Sequence, residues 1–306
     1  MNEKPVFTML VGVPGSGKSW LADTLREEGY AVRSSDRLRE EWYGDESVQG
    51  QPGPLFDELR KRVREDLKSG RSAVLDATNL SRKKRMGFLR VLNGIDCRKV
   101  CVPVLTPPRL CEERDAGRAR TVGAPVIRRM LASFECPTPG EGWDEIRPFA
   151  WRENDPFPFE DARRFALDTP CHKLTLGEHL EKTARYCAEH GFSEEVRLAA
   201  RYHDCGKYYV KRFVSARGVP TEYAQYDGHE NFSAYLFLTE QCCGRELTAE
   251  DFAKALYAAN LICWHMHPAR VWNLSERDRL RDERFLGGET VRDLMLLHEA
   301  NRAARE

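Results

Sequence analysis

The stretch GVPGSGKS, residues 12–19, lies between the apolar run VFTMLV and the helical pattern SWLADTLREEG. It fits G-x-x-x-x-G-K-[ST], which forms a phosphate-binding loop when a strand precedes it and a helix follows. Glycines let backbone N–H groups face a phosphate, and the helix N-terminus adds a favourable dipole. We therefore expect ATP, or another nucleoside triphosphate, to be bound by Gly12, Gly15, Ser16, Gly17, Lys18 and Ser19.

Within this loop, Lys18 and Ser19 have different expected roles. The lysine would neutralise the outer phosphates, and the serine hydroxyl would hold Mg²⁺. The alternative is a glycine-rich turn that binds no ligand. The complete match between a strand and a helix favours the phosphate-binding loop.

The two halves of the chain have different patterns. In the first half, strand-like runs VFTMLVGV, YAVRSS, SAVLDAT and KVCVPVL alternate with helical segments. Such alternation predicts a parallel sheet with helices on both faces. From about Leu174 onward we expect helices alone, after a linker rich in proline, glycine and aromatic residues. The predicted α/β domain therefore covers residues 1–155, and the predicted all-α domain covers residues 156–306.

The composition indicates a folded protein without a strong charge bias. The 306 residues are 41% hydrophobic and 31% charged, with 48 basic and 48 acidic side chains. Net charge therefore gives no sign of a nucleic-acid partner, although it leaves room for a local basic patch. The ten cysteines form no C-x-x-C pair, the N-terminus lacks a signal-peptide core, and no apolar run is long enough to span a membrane. We expect a cytoplasmic protein with reduced thiols and no membrane partner.

Two groups of charged residues suggest what the first half does with a nucleotide. Asp36 and Arg39, in SSDRLREEW, follow the second strand and are expected in a loop at the carboxyl edge of the sheet, where ligands bind. The carboxylate could accept the proton of an attacking hydroxyl, and the arginine could hold an anionic part of the acceptor. An aspartate that caps a helix is the alternative.

The second group lies in LCEERDAGRAR. Arg114 and Arg118 are four residues apart and are expected on one helical face, with Arg120 following them. Such a cluster could close over the triphosphate and stabilise charge during transfer. A solvated basic helix face is the alternative.

Together with the loop, the stretches SSDRLRE, LDATNL, ERDAGRARTVG and VIRRMLASFECPTPGEGWDEI resemble the P-loop polynucleotide 5′-kinases of the phage type and their small bacterial relatives. The resemblance covers roughly residues 5–150. Its motifs are specific to this kinase group but distinguish polynucleotide from smaller acceptors less well. It implies that Asp36 is the general base for a 5′-hydroxyl and that Arg39 contacts the acceptor phosphate. It also places Asp76 and Asn79 at acceptor-side and second-strand positions, and it makes Arg114 and Arg118 lid residues. One position departs from the lid motif, since Asp115 stands where the family usually has asparagine.

Four histidines of the second half lie on apolar helical stripes. His203 follows Val196, Ala199 and Ala200 at i, i+3, i+4 and i+7 spacing, and His179, His229 and His265 hold comparable positions. Any one of them reads most simply as a hydrogen-bonded core histidine. Four on separate helices, one beside Asp204, would need four unrelated hydrogen-bond solutions, so a shared metal explains them better.

The series HKLTLGEH, HDCGK, GHENFSA and ICWH resembles the all-helical, metal-dependent HD-domain phosphohydrolases, over roughly residues 170–306. The resemblance implies one or two divalent ions, Mn, Fe, Ni, Co or Zn, that generate a hydroxide and polarise phosphorus. It makes His179, His203 and catalytic Asp204 the ligands of the principal metal. His229 and His265 would bind a second metal or the substrate phosphate, and Lys207 would lie beside the substrate. We do not predict His172 or His267 as ligands.

One position departs from this family. The usual late aspartate is Asn301 in LLHEANRAA, which offers a carbonyl oxygen but no charge. Two interpretations follow. Either Asn301, His298 or Asp293 completes a weaker metal site, or the domain has lost hydrolysis and binds nucleic acid or a partner.

These patterns predict a bifunctional enzyme that heals nucleic-acid ends. The kinase would phosphorylate a 5′-hydroxyl, and the HD module would remove a 2′,3′-cyclic or terminal phosphate, so that a ligase can act. We favour RNA over DNA ends as the partner, and the sequence leaves a homodimer open. The rivals are a kinase for nucleosides or another small hydroxyl compound, and an active kinase joined to a non-catalytic binding or dimerisation module.

Overall fold

A computed structural model describes residues 4–48, 50–170, 173–215 and 217–305. Its first half alternates strands with helices, as the sequence predicts. The elements are β1 (Val6–Val11), α1 (Lys18–Glu27), β2 (Ala31–Ser34), α2 (Ser35–Tyr43), α3 (Pro52–Lys68), β3 (Ala73–Asp76), α4 (Arg82–Arg90), β4 (Arg98–Leu105), α5 (Pro108–Ala116), α6 (Ala124–Leu131), the 3-10 turn Pro139–Glu141, β5 (Glu145–Ile146) and β6 (Phe149–Ala150).

The six strands form one parallel sheet. The order is β2-β3-β1-β4-β5, and β6 pairs with the carboxyl end of β4. Side chains of β1 alternate between two apolar clusters: Phe7 and Met9 pack on one face, and Leu10 packs on the other, with Ala22 and Leu25 of α1. A parallel sheet covered on both faces needs such continuous apolar strands. The predicted α/β fold of the first half is therefore confirmed.

Helices predominate in the second half. The elements are α7 (Phe159–Ala162), α8 (Leu176–Glu189), α9 (Glu194–Tyr202), α10 (Lys207–Val210), β7 (Arg212–Val214), β8 (Pro220–Gln225), α11 (His229–Cys242), α12 (Ala249–Trp264), the π-helical turn Pro268–Trp272, α13 (Glu276–Leu286) and α14 (Gly288–Ala303). Among the described residues, no helix combines the length and the apolarity that crossing a bilayer requires.

Two elements of the second half differ from the sequence expectation. β7 and β8 form an antiparallel hairpin, so the expectation of helices alone after Leu174 is wrong there. Their short runs, RFV and PTEYAQ, contain the β-branched and aromatic residues that favour strands. The helix α13 was not predicted because its charged sequence has few apolar residues. Its start could have been found, since Ser275 caps the helix by accepting a hydrogen bond from the Asp278 N–H.

The two halves share one apolar core. A single cluster of buried side chains runs from β1 through α6 and into α8, α9, α11, α12 and α14. The helix α11 packs directly against β4 and α6. The helical half therefore lies against the carboxyl end of the sheet, close to the phosphate-binding loop.

A buried ion pair stabilises the loop that follows β3. Arg85 and Glu141 are both fully buried, and Arg85 Nη2 and Nε donate to the two carboxylate oxygens at 2.5 and 2.8 Å. Arg85 Nη1 also donates to the carbonyl oxygens of Asn79 and Leu80. Every polar group of this pair thus has a partner, which a buried ion pair needs in order to be tolerated.

We expect Arg85→Met to lower the free energy of unfolding by about 3–5 kcal/mol, because it leaves the Glu141 carboxylate buried without its cation. Urea denaturation measures the loss. The double variant Arg85→Met/Glu141→Leu should lose less than the single one. Arg62→Met, at a partly exposed surface arginine that pairs with Glu41 and Glu58, is the control and should cost about 1 kcal/mol or less. Equal losses for the single and double variants would contradict this account.

Candidate active sites

The phosphate-binding loop connects β1 to α1 and folds beneath close neighbours. Gly15 and Gly17 have φ angles of +79° and +93°, a backbone region that favours glycine. A Cβ on Gly15 would lie 2.2 Å from the carbonyl oxygen of Cys111, and one on Gly17 would lie 2.5 Å from the ring of Trp151. Only glycine fits at these two positions, so the loop has the conformation that the motif predicts.

Lys18 and Ser19 open α1 at the end of the loop. Lys18 Nζ donates to the Val13 carbonyl oxygen at 2.8 Å, and burial lowers the pKa of its ammonium group. Ser19 Oγ donates to Asp76 Oδ2 at 3.1 Å. Burial also raises the pKa of the Asp76 carboxyl. A hydroxyl of this loop and a carboxylate at a neighbouring strand end are the pair that holds Mg²⁺ in such sites, so these residues fit that ion.

A cleft of about 340 Å³ opens beside this loop at the carboxyl edge of the sheet. Its lining carries many charges of both signs. The charged residues are Lys18, Asp36, Arg39, Glu46, Asp76, Lys84, Asp115, Arg118 and Arg120. The sequence did not single out Lys84 or Glu46. Lys84 lies in the run SRKKR, where nothing local distinguishes a cleft lysine from a solvated one.

Asp36 and Arg39 lie in the first turns of α2 and not in a loop before it. The N-cap residue is Ser34, so the alternative that Asp36 caps the helix is wrong. Arg39 Nη1 donates to Asp36 Oδ1 at 2.5 Å, and the Asp36 side chain is 58% exposed while that of Arg39 is 13% exposed. The arginine therefore orients a carboxylate that remains accessible from the cleft.

Arg114 and Arg118 do not share a helical face, although their spacing predicted that they would. The helix ends at Ala116, so Arg118 lies beyond it and lines the cleft. The Arg114 guanidinium instead lies 4.1 Å from the ring centroid of Trp151. Of the arginines of this segment, Arg118 and Arg120 therefore line the cleft and Arg114 does not.

Asp115 has a structural role in the segment that carries these arginines. It is buried, and its carboxylate accepts hydrogen bonds from the backbone N–H groups of Val122 and Gly123 at 3.0 and 2.9 Å. These bonds close the turn between α5 and α6. The aspartate that stands here in place of the usual asparagine therefore stabilises the segment that carries Arg118 and Arg120.

A cluster of aromatic rings lies on the other side of the loop. Trp151 follows β6, and its Nε1 donates to the Ser16 carbonyl oxygen at 2.8 Å. The ring centroids of Trp20 and Phe149 lie 5.6 and 5.5 Å from that of Trp151, and Trp20 is 55% exposed. Because β6 lies beyond β4 while Asp36 follows β2, the rings and the carboxylate flank the loop from opposite sides. The sequence missed Trp151 because it lies in the predicted linker.

Asn79 is not positioned to contact a substrate as the resemblance implied. It is buried at φ +48°, and its Nδ2 donates to the carbonyl oxygens of Leu10 and Ala77. It does not line the cleft. Its amide instead connects the loop after β3 to β1.

The four histidines and Asp204 meet at one buried point. His179 Nε2 and His203 Nε2 each lie 3.4 Å from Asp204 Oδ2, and they are 3.2 Å from one another. His229 Nε2 and His265 Nε2 lie 3.0 and 3.5 Å from Asp204 Oδ1. Each of the five side chains is at most 2% exposed. Asp204 therefore faces two pairs of imidazoles, one through each carboxylate oxygen.

The hydrogen bonds of three of the rings show that their Nε2 lone pairs point at the oxygens of Asp204. Nδ1 of His203, His229 and His265 lies 2.7–2.8 Å from a backbone carbonyl oxygen, which can only accept. Nε2 of each neutral ring is then an acceptor, and it faces a carboxylate oxygen. Burial lowers the pKa of His203 and lowers that of His265 to about 4, so both rings are neutral at pH 7. A cation between them removes the repulsion, and the donor set of imidazole and carboxylate suits a transition metal.

Two further observations fit a metal. Asp204 Oδ1, His229 Nε2 and His265 Nε2 are buried and have no hydrogen-bond partner. Burial alone would raise the pKa of Asp204, but the Lys207 ammonium at 2.7 Å and the neighbouring histidines outweigh it and hold the pKa well below its usual range. The carboxylate is thus ionised and would be available as a metal ligand.

Asn301 lies on α14, which packs against α8, α9 and α12, the helices that carry or precede three of the histidines. It is buried, and its Oδ1 has no hydrogen-bond partner. Asp293 instead accepts a hydrogen bond from the Tyr257 hydroxyl at 2.9 Å. His298 is only partly buried on the same helix. Asn301 is therefore the better candidate of the three for a ligand from α14.

The remaining histidines near these motifs have other positions. His267 Nδ1 lies 3.0 Å from Asp282 Oδ2, and its ring lies 4.2 Å from that of Trp264. It thus belongs to a separate hydrogen-bonded group. His172 lies outside the described residues.

Comparison with known proteins finds a family match within the first half of the chain. Residues 7–137 match the model of the AAA domain family. The chain is 32% identical over 150 residues to transcription factor bHLH140 of Arabidopsis thaliana. The match covers 47% of this chain and 16% of that protein. The chain is also 32% identical over 119 residues to a UPF0200 protein of Sulfurisphaera tokodaii, which is 36% of this chain and 65% of that protein. The chain therefore spans less than two thirds of either relative. Residues 7–137 therefore form an α/β domain with a phosphate-binding loop that is similar to the AAA domain family.

Solved structures similar to the chain include several kinases. A gluconokinase from Sinorhizobium meliloti 1021 has a TM-score of 0.36 and 19% identity, covering 48% of this chain and 82% of that one. A chain of the Pnkp1/Rnl/Hen1 RNA repair complex has a TM-score of 0.39 and 20% identity, covering 44% and 45%. Shikimate kinase from Acinetobacter baumannii has a TM-score of 0.34 and 21% identity, covering 47% and 84%. None of these values identifies a substrate for this chain.

We expect the histidine cluster to bind one or two equivalents of a divalent transition metal after reconstitution with Mn, Fe, Co, Ni or Zn. Elemental analysis of the dialysed protein measures the metal, and chelation should lower the melting temperature. Asp204→Ala should lose the metal because it removes the carboxylate that both pairs of imidazoles face. His190→Ala, at an exposed histidine stacked on Tyr186, should bind as the wild type does. Equal metal content in the Asp204 variant and the wild type would contradict the assignment.

Proposed function

We propose that the chain is a bifunctional enzyme that heals nucleic-acid ends. The P-loop half would transfer phosphate from ATP to a 5′-hydroxyl, and the helical half would hydrolyse a 2′,3′-cyclic or terminal phosphate. The observation that carries the kinase is that Asp36 lines the same cleft as Lys18 and Ser19. A hydroxyl held by the carboxylate and a triphosphate on the loop can therefore meet between them.

The side chains of the cleft suit each part of the transfer. The Asp36 carboxylate would take the proton as the hydroxyl oxygen attacks the terminal phosphorus, and the bond to the leaving diphosphate would break on the opposite side. Lys18 and Arg118 would stabilise charge on the transferred group. Ser19 and Asp76 would hold Mg²⁺, which supplies further neutralisation of the phosphates when bound.

The charges on the acceptor side favour an anionic acceptor. Arg39, Lys84 and Arg120 line the cleft together with Asp36. Arg120 Nη1 lies 3.5 Å from Glu46 Oε1, which is a long contact for an ion pair. A polynucleotide end brings phosphates to these cations, whereas a nucleoside or a sugar brings none. This arrangement supports a polynucleotide over a small neutral hydroxyl compound.

The aromatic side would receive the base of the donor nucleotide. The terminal phosphate must point toward Asp36, so the rest of the nucleotide extends away from it. In that direction lie Trp151, with the Arg114 guanidinium on its ring, and the exposed Trp20. Aromatic rings and guanidinium planes bind bases by stacking, which tolerates different bases.

For the helical half, the cluster around Asp204 supports a phosphohydrolase. A divalent ion held there would act as a Lewis acid toward a substrate phosphate. Lys207, which pairs with Asp204 at 2.7 Å, would supply a cation beside such a phosphate. One water would open a 2′,3′-cyclic phosphate to a terminal phosphate, and a second would release that group as inorganic phosphate and leave hydroxyls at the 3′ end. A ligase would then join the healed ends.

One observation favours a second function for this half. The ligand side chains are almost completely buried, and the position of the expected last carboxylate is the neutral Asn301. A metal bound there without access for substrate would stabilise a binding or dimerisation module. Analysis of both RNA ends, described next, separates the two functions.

We expect Asp36→Asn to lower kcat for phosphorylation of a 5′-hydroxyl oligonucleotide about 100-fold or more, because the amide cannot accept the proton. ATP affinity should stay within about twofold of the wild type, since Asp36 does not hold the phosphates. The assay uses labelled ATP and an RNA with a 5′-hydroxyl and a 2′,3′-cyclic phosphate, with analysis of both ends. Loss of the cyclic phosphate should continue in this variant.

The control is Asp23→Asn, an exposed carboxylate of α1 that pairs with Arg37 outside the cleft. It should phosphorylate RNA as the wild type does. Transfer by the wild type to free nucleosides but not to RNA would refute the polynucleotide assignment. A cyclic phosphate that persists with metal-loaded protein would favour the non-catalytic module.

We expect Trp151→Leu to weaken ATP binding about tenfold, because the base loses its stacking surface. Binding of inorganic tripolyphosphate, which has no base, should weaken less than ATP binding, because it loses only the support of the Nε1 donor to Ser16. Trp151→Phe keeps a ring for the base but also loses that donor, so its ATP affinity should lie between those of Trp151→Leu and the wild type. Trp42→Leu, at an exposed tryptophan of α2, serves as the control. Equal loss for ATP and tripolyphosphate would show that Trp151 supports the loop and does not contact the base.

A further inference from the structure

The carbonyl of Ser16 is held by two donors from outside the phosphate-binding loop. Thr106 Oγ1 and Trp151 Nε1 each lie 2.8 Å from its oxygen. The carbonyl oxygen of one residue and the N–H of the next point in opposite directions because the peptide is planar. Holding the Ser16 oxygen on the inner side therefore aims the Gly17 N–H outward, where a phosphate would bind.

Both donors are themselves held by the helical half of the chain. The Tyr235 hydroxyl on α11 donates to the Thr106 carbonyl oxygen at 2.9 Å and accepts from the Thr106 N–H at 3.2 Å. The Gly244 N–H, just after α11, donates to the Trp151 carbonyl oxygen at 3.0 Å. Thr106 follows directly after β4 in a buried place. Without Tyr235 its N–H would lose its partner, and its carbonyl oxygen would keep only the weak donor Cys111 Sγ at 3.6 Å.

Tyr235 cannot move independently of these contacts. It is completely buried, and its ring lies edge-on to Phe134 with centroids 5.2 Å apart. The same helix begins at His229, one of the four clustered histidines. One rigid helix thus contacts both the support of the phosphate-binding loop and the histidine cluster.

We propose that Tyr235 is a positioning residue for the ATP site, and that the helical half thereby completes the phosphate-binding loop. This proposal rests on the proposed ATP-dependent kinase. Tyr235 does not touch the nucleotide. It fixes Thr106, Thr106 fixes the Ser16 carbonyl, and that carbonyl sets the direction of the Gly17 N–H.

Tyr235→Phe tests the proposal because it keeps the ring and removes both hydrogen bonds of the hydroxyl. We expect the Kd for a fluorescent ATP analogue and the KM for ATP to rise about five- to tenfold, the effect of one or two lost hydrogen bonds. The kcat at saturating ATP should change less than twofold. Wild-type affinity, with only the melting temperature reduced, would overturn the proposal.

A second pair of variants tests the next contact. Thr106→Val removes the hydroxyl that donates to Ser16 and should weaken ATP binding as Tyr235→Phe does. Thr106→Ser keeps that hydroxyl and should restore wild-type affinity. If the effect passes from Tyr235 through Thr106, then the double variant Tyr235→Phe/Thr106→Val should bind ATP no more weakly than the worse single variant. Additive losses would show that the two residues act separately and would contradict the relay.

Tyr202→Phe is the matched control. Tyr202 is a buried tyrosine of the same half, and its hydroxyl donates to Glu240 at 2.6 Å, outside the ATP site. It should lose stability without any change in ATP affinity. If the wild-type protein binds no ATP, the kinase proposal fails and the positioning role fails with it. If the wild type and Tyr235→Phe bind ATP equally, only the positioning role is wrong, and because binding is measured without an acceptor this outcome does not depend on the acceptor's identity.

Discussion

The main constraint on this structure is that backbone N–H groups of the phosphate-binding loop must point outward, toward a ligand. Each such N–H has a carbonyl on the other side of its peptide plane, and that oxygen must find a donor inside the protein. At Ser16 the donors are Thr106 and Trp151, which follow β4 and β6. Their own backbone groups are bonded by Tyr235 and Gly244 of the helical half. The α/β domain and the helices thus form one structural unit around the loop.

A second constraint acts at the buried cluster in the helical half. Nitrogen lone pairs of His203, His229 and His265 face the oxygens of Asp204 at 3.0–3.5 Å, an arrangement that protein atoms alone stabilise poorly. A bound cation would satisfy all of them at once. Since α11 carries both His229 and Tyr235, the two centres are linked through a common helix. A change that displaces α11 should therefore affect both, even though each has its own chemistry.

Much of the fold was predictable because its signals are local. The strands β1 to β4, the loop at residues 12–17 and the helices with the four histidines all follow from apolar periodicity and motif spacing. The hairpin β7–β8 and the helix α13 were missed, since a short strand and a highly charged helix have weak periodicity. Spacing also misled at Arg118, because α5 ends at Ala116 before reaching it.

By itself, the sequence determined that a strand, a glycine-rich loop and a helix form a phosphate site, and that four histidines lie on buried helical faces. These properties follow from backbone geometry and side-chain periodicity within single segments. Only the tertiary structure decided that Asp76 lies against Ser19, that Trp151 covers Gly17, and that Tyr235 supports the loop. These contacts join residues distant in the chain, and each depends on how separate elements pack together.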